Sequence, residues 1–168
     1  MTDIRIRPAT TGDEFEIVAM IRELAEFERA ADQVVATPDL LRQALFSDHP
    51  AVYAHMAVSD SGAVAGFALW FRNFSTWEGR HGIYLEDLYV RPEFRGQGIG
   101  QALMAELAGI CESESYPRFE WWVLDWNESA RRVYHHLGAE ALTEWIPYRV
   151  SDSDLASLAQ RRISHAGQ

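Results

Sequence analysis

Residues 83–100 read Ile-Tyr-Leu-Glu-Asp-Leu-Tyr-Val-Arg-Pro-Glu-Phe-Arg-Gly-Gln-Gly-Ile-Gly, and this stretch decides the fold. The run Ile83–Val90 is apolar on both faces, which is typical of a strand in the middle of a sheet. A turn at Arg91-Pro92 follows, and the loop Arg95–Gly100 then opens into a helical pattern of apolar residues. Backbone N–H groups of such a loop and of the helix start converge on one point, so the order predicts an anion site.

The glycine-rich loop does not match two familiar nucleotide motifs. A P-loop would end in Gly-Lys-Ser/Thr, whereas Gly100 precedes Gln101 and Ala102. A dinucleotide fingerprint would need its third glycine later in the loop. Two interpretations remain, a simple strand-to-helix turn and a pyrophosphate site, and the second would use the residues Arg95, Gly96, Gln97, Gly98, Ile99 and Gly100.

Two adjacent carboxylates, Glu86 and Asp87, stand in the middle of the apolar strand. Strict alternation would put one face of the strand at Ile83, Leu85 and Tyr89 and the other at Tyr84, Leu88 and Val90. Both carboxylates should then lose hydration, which is costly unless they are paired, linked to water or used in function. They are either core carboxylates bonded elsewhere or functional groups, and their place just before the loop favours function.

Composition narrows the class of protein and of partner. The 168 residues carry 15 basic and 25 acidic side chains, a net charge of −10, and we expect one domain over residues 1–168. This charge disfavours nucleic acid and anionic membranes as partners and favours a small cationic substrate, although acidity also serves solubility alone.

The single cysteine and the histidines give no metal or disulfide signal. Cys111 is alone, which fits a reducing cytoplasm, and its helical pattern makes it buried filler. His135 and His136 are adjacent and would lie on different sides of a helix, so we expect no metal site. No apolar run approaches ~18 residues, so we expect no membrane span.

The remaining helices and strands are predicted from periodicity and cap signals. Thr11-Gly12-Asp13-Glu14 has capping-box spacing, and Thr37-Pro38 is an N-cap followed by proline. Strands are expected at Ile4–Arg7, Tyr53–Ser59, Ala63–Phe71, Gly82–Val90, Phe119–Leu124 and Thr143–Val150. Helices are expected after each cap, from Ile99, over Glu128–Leu137 and over Asp152–Arg162.

The loop and one later segment resemble the GNAT superfamily of N-acetyltransferases. The loop matches the Arg/Gln-x-x-Gly-x-Gly/Ala pattern that holds the acetyl-CoA pyrophosphate there, and Asn127–Ala139 is similar to the segment that begins a helix at Asn. The resemblance implies an α/β (α+β) GNAT fold with a mixed, mostly antiparallel central sheet and helices on both faces. It also implies that Asn127 contacts pantetheine and that Tyr134 stands by the thioester sulfur. By periodicity alone, Tyr134 would be a core tyrosine.

A narrower resemblance is to the diamine acetyltransferases, the GNAT group that acetylates spermidine, spermine or thialysine. It rests on Ile21–Glu28, Ser75–Trp77, Tyr84–Asp87 and Leu124–Asn127, and it extends from Ile4 to about Glu144. It implies a homodimer and an acidic, aromatic-walled amine groove formed by Glu28, Trp77, Glu86, Asp87 and Glu144.

The function implied is direct transfer of acetyl from acetyl-CoA to a primary amine in a ternary complex. Glu86 is the expected general base through a water, Tyr134 the general acid, and backbone near Leu88, Tyr89 and Val90 the partner of the thioester carbonyl and pantetheine. Alternatives are a protein or peptide acetyltransferase of the same fold and a non-catalytic acyl-CoA-binding module.

Ser75 is expected to set the choice of amine. The spermidine/spermine branch has an Asp two residues before the tryptophan, where this chain has Ser75 before Thr76-Trp77. Without that carboxylate a long triamine would lose a charge-assisted bond, which predicts preference for thialysine or a short diamine over spermidine.

Overall fold

A computed structural model of the chain describes residues 3–162. Its elements fall into two compact units, one ending at Trp122 and one beginning at Val123. The first unit contains the strands β1 (Ile4–Pro8), β2 (Tyr53–Ser59), β3 (Val64–Ser75), β4 (Arg80–Val90) and β5 (Phe119–Trp121), and the helices α1 (Glu14–Phe27), α2 (Pro38–Phe46) and α3 (Ile99–Ser113). The second contains α4 (Glu128–His136) and α5 (Asp152–Ala159).

The five strands form one sheet in the order β1-β2-β3-β4-β5. The first three pairings are antiparallel, and only β4 and β5 run parallel. The glycine loop and α3 form the crossover between these two parallel strands. The mixed, mostly antiparallel sheet predicted from the sequence is confirmed, with β4 inside it.

Helices cover both faces of this sheet, as predicted. On one face α1 buries Ile17 and Met20 against Met56, Phe67 and Tyr89. On the other face, α3 buries its apolar stripe, Leu103 and Leu107 being fully excluded from water. The inner strands β3 and β4 therefore carry apolar side chains on both sides. Within residues 3–162, no helix has the length and apolar character that crossing a bilayer requires.

An arginine at the end of β4 fixes α1 on the sheet. The Arg91 guanidinium donates to Glu16 at 2.9 Å and to Glu23 at 3.1 Å, both on α1, and to the Val64 carbonyl at 3.1 Å. Glu16 and Glu23 are two helical turns apart, so one side chain holds about 10 Å of helix. The glycine loop starts from the same point, because it follows Arg91 directly.

Some predicted boundaries are wrong. Thr143–Val150 is not a strand, because Pro147 cannot donate to a ladder and the alternation around it is broken. β5 ends at Trp121 rather than Leu124. α1 begins at Glu14 after Asp13 instead of at the predicted capping box, since the Asp13 carboxylate is engaged by Arg7 at 2.6 Å.

Other local signals are confirmed. The Thr37 hydroxyl accepts the Leu40 N–H at 3.3 Å as the N-cap of α2, with proline at the first helical position. Gly98, at φ 78°, precedes α3 as predicted. Gly138, at φ 85°, follows α4, which spans Glu128–His136 against the predicted Glu128–Leu137.

Two glycines give opposite predictions for the same substitution. A Cβ at Gly66 would overlap the Tyr89 carbonyl oxygen on β4, whereas a Cβ at Gly109, inside α3, meets nothing within 4 Å. Gly66→Ala should lower the free energy of unfolding by about 1–3 kcal/mol, and Gly109→Ala should raise it by about 0.5–1 kcal/mol. Urea unfolding of both variants measures this. Equal effects of one sign would contradict the close β3–β4 approach.

Candidate acyl-transfer site

The ladder between β3 and β4 is interrupted at Glu86. Leu69 pairs with Asp87, but the next residue, Trp70, pairs with Leu85, so Glu86 is an extra residue in β4. Such a bulge shifts the alternation of side chains by one. It also leaves Glu86 on the exposed surface while Asp87 is half-buried.

The bulge overturns the predicted faces of β4. Tyr89 pairs with Phe67 and Leu85 pairs with Trp70, and these two partners are three residues apart on β3. Leu85 and Tyr89 therefore lie on opposite faces, where strict alternation had put them together. The α1 face carries Tyr84, Asp87 and Tyr89. Ile83, Leu85, Leu88 and Val90 face α3.

Asp87 is the carboxylate that loses hydration. Burial raises its pKa to about 6, and the charges of Glu86 and Glu28 add to the effect. The expectation that both adjacent carboxylates lose hydration is wrong for Glu86, because the bulge turns its side chain toward water. A carboxyl that titrates near neutral pH beside an open carboxylate is the usual arrangement of a proton-handling site.

Glu28 reaches the same place from α1. It is the residue that ends this helix, and Arg29 after it has φ 61°, which turns the chain away. Glu28 is exposed, yet partial desolvation raises the pKa of its carboxyl, and its charge acts on Asp87. Three of the predicted acids, Glu28, Glu86 and Asp87, thus form one acidic cluster at the end of α1.

The glycine loop has the predicted form. A short 3-10 turn over Pro92–Phe94 leads into Gly96 at φ 75° and Gly98 at φ 78°, and α3 begins at Ile99. A Cβ at Gly96 or Gly98 would meet no atom within 4 Å, so the surface of the loop is open. Fifteen residues of α3 direct their helix dipole toward this loop.

Arg95 lies beside the loop rather than over it. Its Nε donates to the Val90 carbonyl at 2.8 Å, and its guanidinium carbon lies 5.5 Å from the Tyr89 ring and 5.8 Å from the Phe27 ring. The side chain therefore joins the end of β4 to the end of α1. Arg95 is the first residue of the loop and its guanidinium is exposed, so its positive charge remains close to the loop.

The backbone of Leu88, Tyr89 and Val90 is paired on one side. β3 pairs with these residues, but β5 pairs with β4 only at Ile83, Tyr84 and Leu85. Among residues 3–162 no strand pairs with the other edge of β4 beyond Leu85. An extended chain of a ligand can form hydrogen bonds along such an edge.

One predicted substrate residue of the first unit, Trp77, lies away from the acidic cluster. Trp77 is 92% exposed at the tip of the β3–β4 hairpin. Ser75, at that tip, is six positions along β3 from Leu69, the partner of Asp87, which is a distance of roughly 20 Å. Glu144, in the second unit, is exposed and lies in the segment where the predicted strand is absent.

Ser75 is buried in the β3–β4 hairpin. It is only 7% exposed, and its hydroxyl accepts the Glu78 N–H at 3.2 Å, which stabilises the hairpin turn. The preference for thialysine or a short diamine over spermidine stays a prediction.

The second unit holds Asn127 and Tyr134 on α4. The Asn127 side chain accepts the Ala130 N–H at 3.2 Å as the helix N-cap. Tyr134 is half-buried, and burial raises the pKa of its phenol, which therefore stays protonated at neutral pH. Whether these residues contact pantetheine and sulfur stays a prediction.

Sequence reasoning missed an aromatic and polar patch on the α1 face. The strand pattern placed Tyr84 on one face of β4 together with Leu88 and Val90. The patch comprises Phe71, Asn73, Tyr84, Glu120 and Trp122. Its rings pack in sequence, Phe71 to Tyr84 at 5.1 Å and Tyr84 to Trp122 at 5.9 Å between centroids. The signal that could have found it is the aromatic run Phe119–Trp122, too polar at Glu120 for a fully buried strand.

Comparison with known proteins gives a consistent result. A family model described as Acetyltransferase (GNAT) family matches residues 17–139. Thialysine N-epsilon-acetyltransferase of Mus musculus is 38% identical over 171 residues, covering 96% of this chain and 100% of the mouse protein. L-ornithine N5-acetyltransferase of Arabidopsis thaliana is 28% identical, covering 95% of this chain and 89% of that protein.

A solved structure shows the same fold. An integron cassette protein from the mobile metagenome of V. cholerae superposes with a TM-score of 0.78 at 28% identity, covering 95% of this chain and 99% of that one. Several further neighbours are acetyltransferases by title, one at a TM-score of 0.74 and 22% identity. Among residues 3–162 no cluster of side chains suited to a metal ion is present.

Asp87 should destabilise the fold at neutral pH. Its folded pKa of about 6 lies above the value of 3.8 of a free aspartate, so its contribution to stability is fully present below pH 4 and is lost as the pH rises through 6. The difference corresponds to at most about 3 kcal/mol. Asp87→Asn should therefore raise the free energy of unfolding at pH 8 and change it little at pH 4.

Asp13→Asn is the matched control with the opposite sign. The Arg7 guanidinium holds the pKa of Asp13 below its usual range, so its contribution is present above pH 4 and lost as the pH falls. This variant should be less stable than wild type at pH 8. Urea unfolding at the two pH values measures both variants, and an Asp87→Asn protein less stable than wild type at pH 8 would contradict the desolvation of Asp87.

Proposed function

Because the chain belongs to the acetyltransferase (GNAT) family, we propose that it transfers the acetyl group of acetyl-CoA directly to a primary amine of a small diamine or lysine-like substrate. The observation that supports the proposal is the acidic cluster of Glu28, Glu86 and Asp87. It lies near the end of β4, and the open glycine loop follows that strand in the chain. The cluster suits a cationic amine, and the loop suits a pyrophosphate.

The cofactor side of the proposal rests on backbone geometry. The N–H groups of Arg95–Gly100 would hold the pyrophosphate, since Gly96 and Gly98 leave the space above the loop open. The free edge of β4 at Leu88–Val90 would pair with the pantetheine amides and polarise the thioester carbonyl. Acetyl-CoA would supply the activated acyl group, and we propose that Asn127 contributes to the pantetheine site.

The amine must lose a proton before it attacks. With a pKa near that of lysine, about 10.4, deprotonation at neutral pH costs roughly 4–5 kcal/mol. We assign proton acceptance to Glu86 through a water molecule, because the bulge exposes its carboxylate to solvent. Half-buried Asp87, when ionised, pairs with the ammonium before the proton leaves.

The leaving thiolate needs a proton, and we assign its donation to Tyr134. The phenol has the required proton at neutral pH, since burial raises its pKa. A covalent acetyl-enzyme on cysteine is disfavoured, because Cys111 is 8% exposed and burial raises the pKa of its thiol. Direct transfer from thioester to amine follows, with intersecting initial-rate plots.

The proposal also covers the oligomeric state and the cellular location. We propose a homodimer because the chain resembles the diamine acetyltransferases, and a reducing cytoplasm because the chain has a single cysteine. Peptide acetylation is the second candidate function, favoured by the exposure of Glu86 on an open strand surface. Release of free thiol with small amines but not with peptides separates the two.

Gly98→Glu should abolish acetyl-CoA binding and leave the fold intact. The added carboxylate stands over the loop N–H groups and repels the pyrophosphate. Gly62→Glu is the matched control, because Gly62 also has positive φ and nothing within 4 Å of a Cβ, but lies in the β2–β3 turn. Calorimetric titration with acetyl-CoA measures both, and unchanged affinity in a folded Gly98→Glu protein would show that the loop is only a turn.

Substitutions of Glu86 and Asp87 should have different effects on the pH profile of thiol release. Glu86→Gln should lower kcat by about 10²-fold, the usual scale of a lost general base. Asp87→Asn should lower kcat/KM and remove the acid limb near pH 6 that ionisation of Asp87 gives the wild type. A large loss of kcat in Asp87→Asn with a nearly normal Glu86→Gln would exchange the two roles.

A further inference from the structure

The α1 face of the sheet continues past the acidic cluster as an uncovered patch. Phe71 and Tyr84 are cross-strand partners, and they lie next to the pair Leu69 and Asp87 on the same face. The helix α1 ends at Phe27, close to Asp87 and Tyr89, so its length does not reach over Tyr84. A substrate amine held at Asp87 would therefore lay the rest of its body along this patch.

The patch is a wall of aromatic rings. The rings of Phe71 and Tyr84 are tilted by 32° with centroids 5.1 Å apart, and Trp122 stands at 90° to Tyr84 with centroids 5.9 Å apart. Trp122 is 64% exposed although it is the largest side chain of the patch. Phe71 and Tyr84 are half-buried, so Trp122 is the exposed ring of the wall. Aromatic rings next to carboxylates are suited to methylene chains and ammonium groups.

Negative charge borders the wall at both ends. Glu86 and Glu120 both act on the Tyr84 phenol and, with burial as the main cause, raise its pKa to about 12. Glu120 pairs with Tyr84 across the parallel β4–β5 ladder, so its carboxylate lies on the same face. It also accepts from Asn73 Nδ2 at 2.6 Å, which fixes its position.

Positive charge near the wall is already engaged. Three arginines of the first unit with contacts near this face are Arg91, Arg95 and Arg118, and Arg91 is bound to Glu16 and Glu23 of α1. Arg118 is paired with Glu120 at 3.1 Å and donates to the Phe74 carbonyl at 3.0 Å. Arg95 lies on the far side of Asp87, over Tyr89. A carboxylate on the substrate would therefore meet Glu86 and Glu120 without a cation of this unit free to pair with it.

We propose that Tyr84 and Trp122, backed by Phe71, are the specificity-determining wall of the amine site, and that, among the substrates of the proposed function, they and Glu120 favour amines whose body is apolar or cationic over amines that carry an α-carboxylate. The inference rests on the proposed function. It separates diamines from amino acids of the same chain length, since thialysine and ornithine both carry an α-carboxylate.

The test is a matched pair of amines that differ only in the carboxylate. 1,5-Diaminopentane is L-lysine without its α-carboxylate. With saturating acetyl-CoA and thiol release as the readout, kcat/KM for 1,5-diaminopentane should exceed that for L-lysine by at least about tenfold. Equal values, or a preference for L-lysine, would overturn the inference while leaving the acetyltransferase function intact.

Variants of the wall locate the effect. Trp122→Ala should lower kcat/KM for 1,5-diaminopentane about tenfold through KM, with kcat nearly unchanged, and Trp122→Phe should keep most of the activity. Glu120→Gln should lower the ratio of kcat/KM for 1,5-diaminopentane to kcat/KM for L-lysine. Phe74→Ala is the matched control, because Phe74 is exposed on the same hairpin but three residues from Phe71, hence on the opposite face.

Binding decides the matter if no amine is acetylated. In that event the proposed function fails, but calorimetric titration with 1,5-diaminopentane and L-lysine still tests whether the aromatic wall selects between them. Tighter binding of 1,5-diaminopentane by at least about tenfold, lost in Trp122→Ala and kept in Phe74→Ala, supports the inference. Similar binding of the two amines, or a Trp122→Ala protein that binds 1,5-diaminopentane as wild type does, overturns it.

Discussion

The extra residue at Glu86 is the constraint on which the site depends. A regular β4 would carry Leu85 and Asp87 on one face and Glu86 on the other. The bulge instead keeps Leu85 in the core beneath α3 and puts Asp87 on the α1 face, two positions before the buried Tyr89. One inserted residue therefore lets a central strand fill the core on both sides and still present two carboxylates at the end of α1.

This arrangement has a cost in stability that is tied to function. Asp87 is partly removed from water with Glu86 and Glu28 as its charged neighbours, and among residues 3–162 no cation contributes to lowering its pKa. A bound ammonium would supply that missing charge, so the substrate itself would relieve the strain. By contrast, Asp13 and Glu14 near the start of α1 are each paired with an arginine, Arg7 and Arg42, and serve only the fold. The two kinds of acid differ in their partners and not in their degree of burial alone.

Much of the fold was predictable because its signals are local. Thr37-Pro38, the glycines around Ile99 and Asn127 with Gly138 each fix a helix end through a hydrogen bond or a backbone angle, and all of them are confirmed. The glycine loop was found from spacing for the same reason. The bulge could not be predicted, because it shows only in the pairing of β4 with β3. The errors about the faces of β4 and the hydration of Glu86 both follow from that long-range register. The aromatic wall was missed on the same ground, since Phe71 lies on β3, Tyr84 on β4 and Trp122 just after β5.

The contacts of Arg91 bear on how the outer surface of α1 can vary in sequence. Glu16 and Glu23 occupy positions that a helical wheel would assign to solvent, where most polar residues are interchangeable. Both bind the guanidinium that ends β4, and the residues after Arg91 carry the glycine loop. A substitution of Glu16 or Glu23 would therefore displace the anion loop. In related chains, Glu16, Glu23 and Arg91 should change together rather than independently.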